Sequence, residues 1–248
     1  MENRVSEAVE LSIVVPVHNE SGNAANLARE IATALEGRAF ELIFVNDCST
    51  DNTLDELIEA RAELPQLRIL THRKNAGQSR AIHTGMMAAR APIVGTLDGD
   101  GQNDPADLPA LYRKLTRADA PADLAMVMGR RASRQDSAWK RFGSKYANRI
   151  RQKLLNDGCD DTGCGIKVLK RDVFVRLPYF DHMHRYMPAL VKADGFNTEY
   201  IDVNHRGRIH GVSKYTNFGR LSVAWADMRG VIWLCKRRRL PGGVDEVR

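Results

Sequence analysis

The chain has 248 residues, of which 43% are hydrophobic and 27% charged, so it can bury a real core and is neither a disordered segment nor a polytopic membrane protein. Its net charge of +6 conceals a split: residues 1–124 carry 12 Lys/Arg against 19 Asp/Glu, and residues 125–248 carry 25 against 12. An acidic half fused to a basic half points to a polyanionic partner, whether nucleic acid, a phosphorylated substrate or an anionic membrane.

The four cysteines (Cys48, Cys159, Cys164, Cys235) form neither a disulfide framework nor a zinc-finger spacing and read as reduced thiols. Met1–Glu10 is polar and acidic, the reverse of a signal peptide. The longest apolar candidate, Leu221–Cys235, has 15 residues and is interrupted by Asp227 and Arg229, which is too short to cross a bilayer. The expected location is therefore cytoplasmic.

In chain order, strands are predicted over Leu11–Val17, Phe40–Val45, Leu67–Thr71, Ile93–Leu97 and Leu124–Met128. Helices are predicted over Ala24–Leu35, Thr53–Ala62, Gly77–Ala89 and Pro105–Arg117. This alternation predicts an α/β fold with a doubly wound, mostly parallel sheet, whose ligands bind beyond the carboxyl ends of the strands. The loops at those ends read HNES, NDCSTDNT, HRKNAGQ and DGDGQNDP, all dense in carboxylates, amides and hydroxyls. No G-x-G-x-x-G or Walker sequence follows the first strand, so dinucleotide and P-loop sites are disfavoured.

Asp98-Gly99-Asp100 sets two carboxylates at i and i+2 on a tight loop, a pattern that holds a hard divalent cation beside a diphosphate. Asp47, in Asn46-Asp47-Cys48-Ser49, is placed at a strand end to accept hydrogen bonds from a base or ribose. Pro16, His18, Asn19 and Glu20 close the first strand in the same way.

Between Gly129 and Leu155, nine basic residues face one acid, Asp136, and Trp139, Phe142, Tyr146, Ile150 and Leu154 recur at helical spacing. Phe218, Leu221, Trp225, Met228, Ile232 and Cys235 form a second such stripe, ending in Lys236–Arg239. Two basic amphipathic helices suit an anionic membrane surface. Trp139, Trp225 and Trp233 fit either an interfacial anchor or a core. His182-Met183-His184 lacks the further ligands of a metal site, and Arg185 beside it fits a phosphate contact or packing. Cys159 and Cys164 read as small buried residues.

Taken together, VVPVHNE, FVNDCSTDNT, NAGQSRAIHTGMMAA, LDGDGQNDP and GVSKY resemble glycosyltransferase family 2, specifically its dolichol-phosphate mannosyltransferase-like branch, from about Leu11 to Leu234. The resemblance implies a GT-A fold and an inverting transfer from a nucleotide-sugar, UDP- or GDP-linked, to a polyprenyl phosphate, with Mg²⁺ or Mn²⁺. It implies that Pro16, Glu20 and Asp47 contact the nucleoside, with Asn75 and Gly77 supporting that pocket. Asp98, Asp100 and Gln102 would form the metal and diphosphate site. Gly101 stands there in place of a larger apolar residue.

Arg130, and with it Arg131 or Arg134, then Arg206, Arg208, Ser213 and Lys214, would bind the acceptor phosphate and donor diphosphate, since the planar guanidinium suits phosphate oxygens. A phosphate monoester has a second pKa of about 6, so the acceptor is its own nucleophile and no essential base is expected. Asp161 is the rival candidate for a base. The alternative acceptor is a hydroxyl on a glycan or lipid. A nucleic-acid partner is not expected, because no RNP, zinc-finger or helix-turn-helix signature is present. The expected organisation is an N-terminal tail over 1–10, a catalytic domain over 11–215 (donor half 11–128, acceptor half 129–215) and a basic amphipathic segment over 216–248. The expected setting is a peripheral enzyme on the inner face of the membrane.

Overall fold

The structure, a computed structural model, describes residues 8–131, 151–152, 154–155, 157–159, 161, 163–207, 219–242 and 245–247. Most of the helix expected from Trp139, with Arg134, Arg208, Ser213 and Lys214, lies outside the described residues.

The strands β1 (Leu11–Val17), β2 (Phe40–Asn46), β3 (Leu67–Thr71), β4 (Ile93–Thr96), β5 (Leu124–Arg131), β6 (Lys167–Lys170) and β7 (Asn197–Val203) form one sheet in the order β3-β2-β1-β4-β6-β5-β7. Every pairing is parallel except those of β6, which runs antiparallel between β4 and β5. The helices are α1 (Ala24–Ala34), α2 (Thr53–Glu63), α3 (Gln78–Ala88), α4 (Leu108–Thr116, entered through a short 3₁₀ turn at Pro105–Asp107), α5 (Arg171–Arg176), α6 (Met187–Ala193) and α7 (Gly219–Arg237). A second 3₁₀ turn covers Met183–Arg185.

β1 is buried at all seven positions, as its almost wholly apolar run requires in a sheet covered on both faces, and its one polar side chain, Ser12, is hydrogen-bonded. Leu11, Ile13 and Val15 join Leu27, Ile31, Phe44, Leu57 and Leu111 in the core beneath α1, α2 and α4. Val14, on the opposite face, joins Ile43, Met86, Phe174, Met187 and Val231 beneath α3 and the later helices. At the amino ends of the strands, Glu41 accepts from Ser12 Oγ at 2.6 Å, Arg90 N at 2.7 Å and Arg68 at 2.5 Å. Burial pushes its pKa up, but these donors outweigh it and hold the carboxylate below its ordinary range. That network ties β1, β2 and the end of α3 together far from the strand ends that matter for chemistry.

The order 3-2-1-4 reverses at β1, so the crevice between β1 and β4 at their carboxyl ends is the topological switch point where such sheets bind ligands. Asp98-Gly99-Asp100 emerges there.

The C-terminal helix divides on packing. In α7, Val231 is fully buried and Cys235 packs beside it, while Trp225 and Trp233 are 55% and 59% exposed. Asp227 meets His182 Nδ1 at 2.9 Å, and Arg238, just past the helix, pairs with Asp194. The polar residue that interrupts the stripe is thus what docks the helix. Among the described residues, no helix is long and apolar enough to cross a membrane.

Candidate active site

The first two strand-end loops clasp each other. Asn19 N donates to Ser49 Oγ at 2.9 Å, Thr50 N donates to Asn19 Oδ1 at 2.7 Å, and Glu20 N donates to Thr53 Oγ1 at 2.8 Å. Asn19 and Cys48 adopt left-handed backbone conformations, with φ of 54° and 60°. Such a conformation suits Asn but costs a β-carbon residue such as Cys about 1 kcal/mol, a cost the surrounding bonds offset. Burial pushes the Asp51 carboxyl up, but hydrogen bonds from Thr53 and Ser21 hold it below the usual range.

Asp47, 3% exposed, organises the third loop. Its carboxylate accepts from His72 Nδ1 at 2.7 Å, Ala76 N at 2.9 Å and Gly77 N at 2.7 Å, and its carbonyl accepts from Asn75 Nδ2 at 3.1 Å. Asp47, Asn75 and Gly77, which the sequence assigns to one pocket, are therefore hydrogen-bonded to one another. Pro16 and Glu20 lie at the end of β1 and the start of the adjoining loop.

The loop after β4 is pressed against β1: a Cβ on Gly99 would stand 2.7 Å from Pro16 O. Gln78, the first residue of α3, donates from Nε2 to Asp98 Oδ1 at 2.7 Å, and Gln102 N donates to Asp100 Oδ1 at 3.2 Å. Burial raises the pKa of Asp98, with Lys167 opposing the rise and Asp100 adding to it. Asp98, Asp100 and Gln102 are brought together on one loop, and their oxygens are the hard donors that Mg²⁺ or Mn²⁺ prefers. Among the described residues no group of three or more His, Cys, Asp or Glu could enclose a metal by itself. Two carboxylates and one amide oxygen on a single loop fit a cation that shares its coordination with substrate phosphate.

The basic residues sort by strand parity. β5 runs to Arg131, three residues past the expected end, so Arg130 and Arg131 point to opposite faces. Arg130 is register partner to Asp202 and pairs with it at 2.7 Å. Arg131 holds Asp161 bidentately, at 2.7 and 2.6 Å, and is the arginine within electrostatic range of Asp98. Arg206 sits against the metal loop: its N donates to Gln102 O at 2.9 Å, and its guanidinium bonds Glu30 at 2.5 Å and Asp104 at 2.7 Å.

Four residues beside these loops have no donor-site role expected for them from the sequence. Gln78 bridges to Asp98. Gly165 presses its Cα against the Asp98 carboxylate, where a Cβ would lie 2.3 Å from Oδ2. Lys167 is 3% exposed and donates to Cys164 O. His184 is bonded through Nδ1 to Ser79 Oγ at 2.7 Å, and burial, with Lys167, Arg185 and His182 nearby, lowers its pKa to about 3. A lysine inside the short apolar run Ile166–Leu169 was the one available signal, since a cation there must be paired or functional.

The doubly wound sheet, with carboxylates gathered at its switch point, is of the GT-A type. Residues 12–177 match the family described as glycosyl transferase family 2, and the chain belongs to that family. It is 31% identical over 245 residues to dodecaprenyl-phosphate galacturonate synthase of Rhizobium johnstonii, covering 95% of this chain and 70% of that protein. It is 34% identical over 217 residues to undecaprenyl-phosphate 4-deoxy-4-formamido-L-arabinose transferase of Pseudomonas aeruginosa, covering 86% of this chain and 62% of that protein. Similar solved structures include glucosyl-3-phosphoglycerate synthase from Mycobacterium tuberculosis with Mn²⁺, UDP and glucosyl-3-phosphoglycerate (TM-score 0.69, 17% identity, 94% of this chain and 82% of that one). Mannosyltransferase PcManGT from Pyrobaculum calidifontis with GDP-Man and Mn²⁺ is similar too (TM-score 0.66, 14% identity, 94% and 66%). At these identities the solved structures establish the fold.

Proposed function

We propose that the chain is an inverting glycosyltransferase that moves a sugar from a nucleotide-sugar to the phosphate of a polyprenyl phosphate. The observation that carries this reading is similarity along nearly the whole chain to two relatives named for dodecaprenyl- and undecaprenyl-phosphate products. An acceptor phosphate oxygen forms a bond to the anomeric carbon while the bond from that carbon to the diphosphate breaks, and the nucleoside diphosphate leaves with the electron pair. Asp98, Asp100 and Gln102 would hold Mg²⁺ or Mn²⁺, which supplies neutralisation of the departing diphosphate. The loop that Asp47 organises forms the floor of the nucleoside pocket, with Pro16 and Glu20 at its rim. Arg130, Arg131 and Arg206 would supply cations to the acceptor phosphate and donor diphosphate; Ser213 and Lys214, to which the resemblance gives the same part, lie outside the described residues.

Because both oxygens of Asp161 are engaged by Arg131, this carboxylate is a poor proton acceptor and serves to aim the guanidinium. Asp161→Asn should therefore retain transfer within about 100-fold of wild type at a temperature where it stays folded, one weakened charge-assisted bond being worth roughly 1.5–3 kcal/mol. Single-turnover rates check this. Loss as complete as that of Asp100→Asn, with donor binding intact, would restore the base.

The outward side of α7 carries Trp225 and Trp233 with Arg229 and Lys236, and Arg237 lies over the Trp233 ring at 5.9 Å. Exposed indoles with flanking cations suit an anionic bilayer interface, each basic residue there contributing about 1 kcal/mol. Binding to phosphatidylglycerol vesicles should weaken at high salt and weaken further in the Trp225→Ala/Trp233→Ala variant. Unchanged sedimentation with vesicles would contradict this surface.

The transfer itself is tested by incubating the protein with radiolabelled UDP- and GDP-sugars and either undecaprenyl phosphate or a sugar acceptor. Label in the lipid phosphate supports the proposal, and label only in the sugar acceptor rejects it.

A further inference from the structure

The motif Asp181–Arg185 is not absorbed by the donor and acceptor sites described above, yet it packs against the start of α3. Ser79 is 1% exposed. Its hydroxyl lies 2.7 Å from His184 Nδ1, while His184 N donates back to the same oxygen at 3.4 Å. With that oxygen accepting from the backbone, and with Nδ1 the one acceptor for its proton among the described residues, the hydroxyl donates to Nδ1, which corresponds to the neutral imidazole with its hydrogen on Nε2. Nε2 has no hydrogen-bond partner among the described residues. Ser79 follows Gln78, whose amide bonds Asp98, and Lys167 is in electrostatic range of both Asp98 and the imidazole. Asp98, Gln78, Ser79 and His184 are thus linked by hydrogen bonds and by sequence, with Lys167 in electrostatic range of both ends, beside the crevice at the switch point.

We propose that His184 is a donor-binding residue, its Nε2–H set by Ser79 to hydrogen-bond an acceptor oxygen of the nucleotide-sugar, on the diphosphate or on the sugar. A neutral N–H donor is suited to this place, because Lys167 already supplies the buried cation. The inference rests on the proposed function, in that it presumes a nucleotide-sugar in this crevice.

Calorimetric titration of the whole chain with UDP, GDP, UDP-glucose and GDP-mannose in the presence of Mn²⁺ tests it without reference to turnover. His184→Phe keeps an aromatic ring but no donor, whereas His184→Gln keeps an N–H near the position of Nε2. The Phe variant should bind about 3- to 10-fold more weakly, the worth of one hydrogen bond, and the Gln variant should recover most of the loss. Weakening towards the diphosphates locates the contact there, and weakening confined to the nucleotide-sugars locates it on the sugar. Equal affinities for wild type and the Phe variant, or equal losses in both variants, would overturn the assignment. A wild-type protein that binds none of the four would instead overturn the proposed function on which it rests.

Discussion

Gly165→Ala is expected to lower kcat/KM by about 100-fold or more while leaving the fold in place. The added methyl would stand 2.3 Å from Asp98 Oδ2, 2.4 Å from its Cγ and 2.6 Å from Asn103 Oδ1. None of these atoms is the far end of a flexible chain. Asp98 is held by Gln78, and the Gly165 carbonyl is itself fixed by Thr96 Oγ1 at 2.8 Å. The carboxylate must therefore move, and with it the oxygen set that would share a cation with the diphosphate. Overpacking of one methyl costs roughly 1–3 kcal/mol of stability, which a domain of this size withstands. Circular dichroism should be near wild type, while calorimetric binding of nucleoside diphosphate with Mn²⁺ should be strongly weakened. Wild-type affinity and turnover in this variant would show that Asp98 does not have to sit where it does.

Asp47→Asn should have the second large effect, through the loop rather than through the substrate. Both carboxylate oxygens face donors, from His72, Ala76 and Gly77. An amide replaces one acceptor with an NH₂ that confronts another N–H, in a place only 3% exposed. Charge-assisted bonds of this kind are worth about 1.5–3 kcal/mol each, so a loss of about 2–4 kcal/mol is expected. It should appear as a lower urea midpoint with an unchanged slope. Donor affinity should fall with it, because Gly77 leads directly into Gln78 and so to Asp98. Asn75→Ala, which removes one bond to a backbone carbonyl, should cost only about 1 kcal/mol. Equal stability of the Asp47 and Asn75 variants would contradict the part given to the carboxylate.

The donor half was largely legible from residues 11–128. β1 and β3 have the boundaries read from LSIVVPV and LRILT, and each of the four polar loops falls at a carboxyl strand end. The reason is local: apolar β-branched runs, helical periodicity and turn residues all favour the same elements there. The acceptor half was less legible because its determinants are non-local. β6 is a four-residue strand whose antiparallel place between β4 and β5 no short-range pattern encodes, and it carries Lys167 into the interior. The sequence names Arg130, and with it Arg131 or Arg134, without saying which face each takes, because β5 is expected to end at Met128 and instead runs to Arg131. Once it continues, parity sends one arginine to Asp202 and the other to Asp161. His184 stands out in the sequence only as half of a His-x-His pair too sparse for a metal, because its partner Ser79 lies 105 positions earlier. The C-terminal stripe is not one buried face: its Trp225 is 55% exposed, while Val231, outside the stripe, is fully buried and packs in the same core as Cys235.

The most direct test of the central claim is the nucleotide released as label enters the lipid. The protein, an active radiolabelled nucleotide-sugar, Mn²⁺ and undecaprenyl phosphate in vesicles should yield a lipid bearing one phosphate between the chain and a sugar of inverted anomeric configuration. One nucleoside diphosphate should be released per sugar transferred. Release of nucleoside monophosphate, retention of configuration, or transfer to undecaprenol as fast as to its phosphate would contradict the account.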